Sequence, residues 1–175
     1  MRIAFIYPSF GVIAKANQPS IKAVADNYGI YPNTSLLYIA GAVQNSGHEC
    51  IFLDSMAQDL SLNDMIKICK KFKPDILIFT LTTYLFHENI KVLKYFKKYV
   101  NAKIIVGGQH LSLFPKETLQ NDVIDYGIIG EGELAVVELL EKLSDNKSIK
   151  NVKGIVYREK NNIKFSKPLD KMINL

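Results

Sequence analysis

Cysteine is scarce in this chain: Cys50 and Cys69 are the only two in 175 residues. Two are too few for a disulfide framework. With no Cys-rich or His-rich cluster beside them, the sequence offers no zinc or iron–sulfur site. Cys50 opens an apparent strand and Cys69 lies on the apolar stripe of an apparent helix, so both read as small core residues in a reducing compartment. Arginine is scarcer than the charge implies. The net charge is +5, yet only Arg2 and Arg158 can make bidentate contacts to phosphate or guanine. The remaining positive charge is lysine spread over helix faces, as at Lys67, Lys70, Lys71, Lys94, Lys97 and Lys98. That is a solvated surface, and nucleic acid is not an expected partner. No apolar run is long enough to cross a membrane, and the apolar stretch after Arg2 is too short for a signal peptide. The expected location is the cytoplasm. A P-loop, a nucleophile elbow and a paired-acid motif are all missing. Three histidines remain. His48 falls in a helix-to-strand turn and reads as a surface residue, and His87 opens a helix. Only His110 sits in a loop beside paired glycines.

What is present is alternation. Arg2–Tyr7, Glu49–Leu53, Asp75–Thr80, Lys103–Val106 and Tyr126–Ile129 are short, nearly continuous apolar runs. Strands covered on both faces have this character. Between them lie helical stripes. Leu36, Ile39, Ala40 and Val43 form one, stopped at Gly47. Leu62, Met65, Ile66 and Cys69 form the next, opened by a capping box at Ser61–Asp64 and closed by Pro74. Ile90, Leu93 and Phe96 mark a third, and Val136, Leu139, Leu140 and Leu143 the last. Pro115 suits the first turn of a short helix. The pattern predicts an α/β fold: a doubly wound, five-stranded parallel sheet of order 2-1-3-4-5. Residues 1–150 make this domain. In residues 151–175, GIVYR-EKNN-IKF predicts a small β-hairpin with an Asn-Asn turn, and Ser166–Leu175 has no partner element. One connection is long: about 25 residues separate Tyr7 from the first helix, where such loops usually run 2–6.

In a doubly wound sheet, ligands bind outside the carboxyl ends of the strands. That rule nominates Tyr7–Gly11, Asp54-Ser55, Thr80–Tyr84, Gly107–His110 and Gly130–Glu133. The first lacks a phosphate loop leading into a helix, and no acids follow the first and third strands to make a phosphoacceptor site. Gly130-Glu131-Gly132-Glu133-Leu134-Ala135 matches a dinucleotide fingerprint, with Glu159 ending the next strand where a ribose-binding acid is sought. Two glutamates stand where a pyrophosphate would go. Nucleotide (NAD-type) binding is therefore the second reading, and a tight strand-to-helix turn is the structural one.

Taken in order, Arg2–Pro8, Tyr31-Pro32 before Leu36–Ala40, Gly47-His48-Glu49, Lys73-Pro74-Asp75, Val106–His110, Gly130–Glu133 and Gly154–Arg158 resemble one family. It is the cobalamin-binding domain that precedes the radical-SAM core of B12-dependent radical-SAM proteins, among them anaerobic magnesium-protoporphyrin monomethyl ester oxidative cyclases and methyltransferases. The resemblance implies a corrin across the carboxyl edge of the sheet, its nucleotide tail running past Gly107-Gly108. It implies cofactor contacts at Pro8, Ser9, Phe10, Gly11, Thr80, Leu81, Thr82, Thr83, Tyr84, Gly107, Gly108, Gln109, His110, Gly130, Glu131 and Gly132. Thr80 and Thr82 stand where related domains carry Ser-x-Leu, Thr82 being a departure. The Asp-x-His-x-x-Gly motif is missing, so no residue is nominated as lower cobalt ligand. Cys-x-x-x-Cys-x-x-Cys is missing too. S-adenosylmethionine and a [4Fe–4S] cluster are expected only in a downstream radical-SAM domain of the same polypeptide, which makes this chain an N-terminal fragment without turnover of its own. The third reading is a cofactor-free interaction or regulatory domain with a decayed site.

Overall fold

The computed structural model describes residues 1–8, 31–160 and 162–169. Five parallel strands are β1 (Arg2–Tyr7), β2 (Glu49–Asp54), β3 (Ile76–Thr80), β4 (Lys103–Gly107) and β5 (Tyr126–Ile128). The hairpin strands β6 (Ile155–Glu159) and β7 (Asn162–Phe165) join the same sheet, which runs β2-β1-β3-β4-β5-β6-β7. The expected order holds. The strand count is seven rather than five, because β6 pairs antiparallel with β5 instead of standing apart. Helices α1 (Thr34–Asn45), α2 (Leu62–Phe72), α3 (Phe86–Tyr99), α4 (Gln109–Leu113), α5 (Pro115–Gln120) and α6 (Glu133–Ser144) complete it.

Alternate residues of each central strand face opposite layers. Ile3, Phe5, Ile76, Ile78, Ile105 and Ile128 join Leu36 and Val43 of α1 and Leu139 and Leu140 of α6 in one core. Ala4, Ile6, Leu77, Phe79, Ile104 and Val106 join Met65 and Cys69 of α2 and Leu93 and Phe96 of α3 in the other. Both faces are therefore apolar, and the strands read as continuous runs for that reason.

The helix ends obey local chemistry. Ser61 and Asp64 form the expected capping box of α2, and Lys73 closes it in a left-handed conformation before Pro74. Asn33 caps α1 by accepting the Leu36 N–H at 2.9 Å. Two loop expectations are corrected. Gln109–Leu113 is helical, which puts His110 on a helix rather than in a loop. Glu159 pairs with Asn162, so Asn162 is the first residue of β7 and not part of the turn; Lys160 turns at φ +57°, and Asn161 lies outside the described residues. The segment after β7 also has a partner. Ser166 N–H donates to Ile155 O at 2.9 Å, and Gly154 N–H donates to Lys167 O at 2.8 Å. The Leu169 side chain covers Gly154, where a Cβ would approach it to 2.6 Å. Residues 170–175, like the long Ser9–Ile30 stretch, lie outside the described residues.

The registers level the strand ends. Tyr7 pairs with Asp54 and Thr80 with Gly107, so the carboxyl ends of the parallel strands form one edge. Among the described residues, no helix is long and apolar enough to cross a membrane.

Candidate functional site

At that edge, on the α1/α6 side, the sheet opens into a cavity of about 770 Å³. Ile78 and Ile105, paired in register, form its floor with Ile128. Leu36 and Val136 wall it from the helices. One step up the strands, on the same face, the apolar bulk stops: Thr80 stands above Ile78, and Gly107 above Ile105. The cavity exists because those two positions are small. The rim mixes exposed polar residues, Thr82, Gln109, Ser112 and Glu131, with exposed Tyr38 and Leu113.

The glycine pair divides its labour. Gly108 adopts φ +100°, ψ 179°, a region open essentially to glycine alone. A Cβ there would lie 2.6 Å from Leu81 O and 2.7 Å from Thr80 Oγ1. The turn is held by Leu81 N–H donating to Gly107 O at 2.8 Å and His110 N–H donating to Leu81 O at 3.2 Å. Gly108 is therefore required by the protein itself. At Gly107 the nearest heavy atom to an added Cβ is Ile128 O, at 4.0 Å. The space over Gly107 is open.

Of the residues nominated from sequence, Thr80, Thr82, Gly107, Gly108, Gln109, Gly130, Glu131 and Gly132 line this cavity. Leu81 is buried in the opposite core, and Pro8, Thr83 and Tyr84 are not among the described walls. Ser9, Phe10 and Gly11 lie outside the described residues. The first turn of α1 was missed: Asn33, Thr34, Ser35 and Leu36 all face the cavity. A signal existed, since a right-handed crossover from β1 must set the start of α1 beside this edge.

His110 turns away from the cavity. It is 4% exposed, stacks on Phe86 with centroids 3.8 Å apart, and tilts against Phe114. Neither ring nitrogen has a hydrogen-bond partner among the described residues. Burial pushes its pKa down; Glu117 opposes that shift and His87 adds to it. His48 is half-buried rather than on the surface, with Nδ1 3.3 Å from the terminal amine. Burial, then the terminal charge, lowers its pKa against the pull of Glu141. Burial pushes the Cys69 thiol up to about 12, which leaves it inert at neutral pH. Asp54, at the nominated end of β2, is committed to structure: it accepts the Met56 and Ala57 N–H groups at 2.9 and 3.1 Å. Among the described residues no group of His, Cys, Asp and Glu is placed to hold a metal ion.

The family model of the B12 binding domain matches residues 21–140. The chain belongs to the B12 binding domain family. An uncharacterized methyltransferase of Pyrococcus horikoshii is 32% identical over 159 residues, covering 90% of this chain and 34% of the relative. The anaerobic magnesium-protoporphyrin IX monomethyl ester cyclase of Rubrivivax gelatinosus is 27% identical, covering 90% of this chain and 28% of the cyclase. The chain thus spans about a third of the length of these relatives, 34% and 28%. In fold, it is similar to the radical S-adenosylmethionine methyltransferase TsrM of Kitasatospora setae, solved with cobalamin and a [4Fe–4S] cluster bound. There the TM-score is 0.73 at 16% identity, over 99% of this chain and 30% of that one. The cobalamin-dependent S-adenosylmethionine radical enzyme OxsB, solved with aqua-cobalamin, gives 0.73 at 16% identity, over 97% of this chain and 22% of that one. The family expected from the residues, and the cofactor class that goes with it, are borne out.

The dinucleotide reading is not favoured, and this B12 binding domain shows why. β6 runs antiparallel to β5, so no βαβ unit follows Gly130–Ala135, and Glu159 ends at the opposite edge of the sheet. Gly132 serves helix packing, since a Cβ there would lie 3.0 Å from Ile39 Cδ1 of α1.

Two outcomes are expected of the isolated chain. Gly108→Ala should lose at least ~2 kcal/mol of stability from backbone strain and contact with Leu81, while Gly107→Ala should change it by less than about 1 kcal/mol. Urea denaturation of both variants checks this, and equal losses would contradict the division of roles. The second outcome concerns pH. The folded protein holds the His110 proton less tightly than the unfolded chain, whose value is near 6.5. As pH falls through that value the unfolded state takes up protons first, and stability drops. Denaturation at about pH 7.5 and about pH 5.5 should show that loss, and His110→Phe should reduce it. An unchanged pH slope in the variant would contradict it.

Proposed function

We propose that this chain is the cobalamin-binding module of a B12-dependent radical-SAM enzyme of the methyltransferase or oxidative cyclase type. The corrin lies over the carboxyl edge of the sheet, and its nucleotide tail enters beside Gly107. One observation carries the reading: in a B12 binding domain, a cavity with an aliphatic floor opens beneath a gap made by Thr80 and Gly107. The residues present suit the cofactor. Corrin carboxamides both donate and accept, and Asn33, Gln109, Ser112 and Glu131 around the rim can answer them. Glu131, with Glu133 beside it in the lining, disfavours a bare pyrophosphate.

Cobalamin, when bound, supplies the methyl-transfer or redox chemistry of cobalt. The chain's residues do the rest. Gly107 and Thr80 leave the entrance open, the isoleucine floor excludes water from the buried part, and the polar residues of the rim set the orientation. No side chain is assigned beneath the cobalt. Residues 1–150 hold the site. Strands β6 and β7 close the sheet, and the chain beyond them leads toward a radical-SAM domain of the same polypeptide, which would bring S-adenosylmethionine and the [4Fe–4S] cluster. The lengths of the relatives, of which this chain covers 34% and 28%, support that arrangement.

Titration with hydroxocobalamin, followed by desalting and absorbance, tests the reading. About one equivalent of corrin should remain, with a spectrum lacking an axial imidazole. Gly107→Leu should keep the circular dichroism of the parent and lower retention by at least ~10-fold, as expected for loss of one well-packed contact region. Retention that tolerates Gly107→Leu, or no retention by the parent chain, would favour the cofactor-free reading. Bulk at Gly108 cannot make this distinction, because the fold forbids it with or without a ligand.

A further inference from the structure

The chain beyond β7 turns inward along the carboxyl edge. β7 is the outermost strand of the sheet and ends at Phe165, opposite Val156. The Ser166 hydroxyl then accepts the Ile155 N–H at 2.9 Å, and Lys167 O accepts the Gly154 N–H at 2.8 Å. The chain thereby passes the start of β6 and reaches the end of β5. Lys167 and Pro168 are exposed, and Pro168 has no N–H to bond. Leu169 turns in: it is half-buried and packs against the core of the α1/α6 face. Its Cγ, Cδ1 and Cδ2 lie 2.6, 2.9 and 3.2 Å from where a Gly154 Cβ would stand, so the leucine fills the place that this glycine leaves empty. Its Cδ1 is also 3.9 Å from the Cβ position of Gly130, a residue that lines the cavity.

We propose that Ser166–Leu169 is a latch on the cavity, with Leu169 as a positioning residue that acts through Gly154 on the Gly130–Gly132 wall. Its effect on a ligand rests on the cobalamin reading above and goes beyond it, because Leu169 is not among the residues that line the cavity. The connection is short. Gly154 O accepts the Ile129 N–H at 2.8 Å, and Gly130 N–H donates to Ser112 Oγ at 3.2 Å. The loop after β5 is therefore held by the start of β6 on one side and by α4 on the other. Removing the leucine leaves a hole over Gly154 and loosens the first of these ties. Few contacts hold the latch, so it opens locally while the sheet beneath stays paired. The same segment is the path toward the downstream domain proposed above, which places the Leu169 contact between that domain and the cavity wall.

The test compares the 175-residue chain with its Leu169→Ala and Leu169→Met variants. Amide hydrogen exchange without ligand is measured first. Leu169→Ala should speed exchange of the Gly154 and Ile129 N–H groups by on the order of tenfold, with the Leu77 and Ile104 amides at the centre of the sheet unchanged. Leu169→Met refills the space and should return both rates toward the parent's. Hydroxocobalamin affinity, read by retained corrin absorbance, should fall about threefold to tenfold in Leu169→Ala and recover to within about twofold in Leu169→Met. Unchanged exchange at Gly154 and Ile129, or a rise spread evenly over the sheet, would overturn the latch. Faster exchange with unchanged affinity would overturn the positioning role and leave the cobalamin reading intact. A parent chain that retains no corrin would overturn that reading and the positioning role together, and the exchange rates would still decide the latch.

Discussion

The site depends on one backbone contact, between the Gly108 turn and Leu81. Past β4 the chain takes a conformation that essentially only glycine adopts, pressed against the loop that follows β3. Two hydrogen bonds, Leu81 N–H to Gly107 O and His110 N–H to Leu81 O, lock the loops together. With the turn fixed, α4 starts at once. Gln109 and Ser112 then face the cavity, while His110 drops between Phe86 and Phe114 on the other side. The linkage continues sideways. Ser112 Oγ accepts the Gly130 N–H at 3.2 Å, and Ile129 N–H donates to Gly154 O at 2.8 Å. Gly154 in turn holds Lys167. The carboxyl edge is thus a row of loops tied to one another, with the chain after β7 tied in last.

The cavity follows from this frame and from the two-residue period of a strand. On the α1/α6 face the sequence places isoleucine at Ile78 and Ile105, then Thr80 and Gly107 one step higher. On the α2/α3 face, Phe79 and Val106 continue the apolar layer almost to the edge. The same strands therefore make a filled core on one side and an open-topped one on the other. Burial of the isoleucines stabilises the fold, and the small residues above them, Thr80 and Gly107, leave the cavity open at the edge.

Much of this was legible in the sequence, for identifiable reasons. Apolar runs such as Ile76–Thr80 are strong strand signals, and the Ser61–Asp64 box and Pro115 mark helix starts by side-chain chemistry. Gln109–Leu113 was not legible as a helix, because five residues between Gly108 and Pro115 are too few to show a period. The hairpin was visible, but not its place: alternation within β6 and β7 does not say which edge they join. That same antiparallel pairing defeats the Gly130–Ala135 fingerprint, whose meaning depends on strand direction. Gly107 and Gly108 are alike as letters, and only the backbone distinguishes the one the fold needs from the one that leaves space. The start of α1 escaped notice as a wall of the site because it follows a long loop, although crossover handedness places it there.

The central claim is that the cofactor's buried part lies against the isoleucine floor on the α1/α6 face. The most direct measurement is the methyl NMR spectrum of Ile-labelled protein with and without hydroxocobalamin. The account predicts large shifts at Ile39, Ile78, Ile105 and Ile128, with Ile66, Ile90 and Ile104 on the opposite layer little changed. Shifts confined to that opposite layer, or spread equally over both, would contradict it.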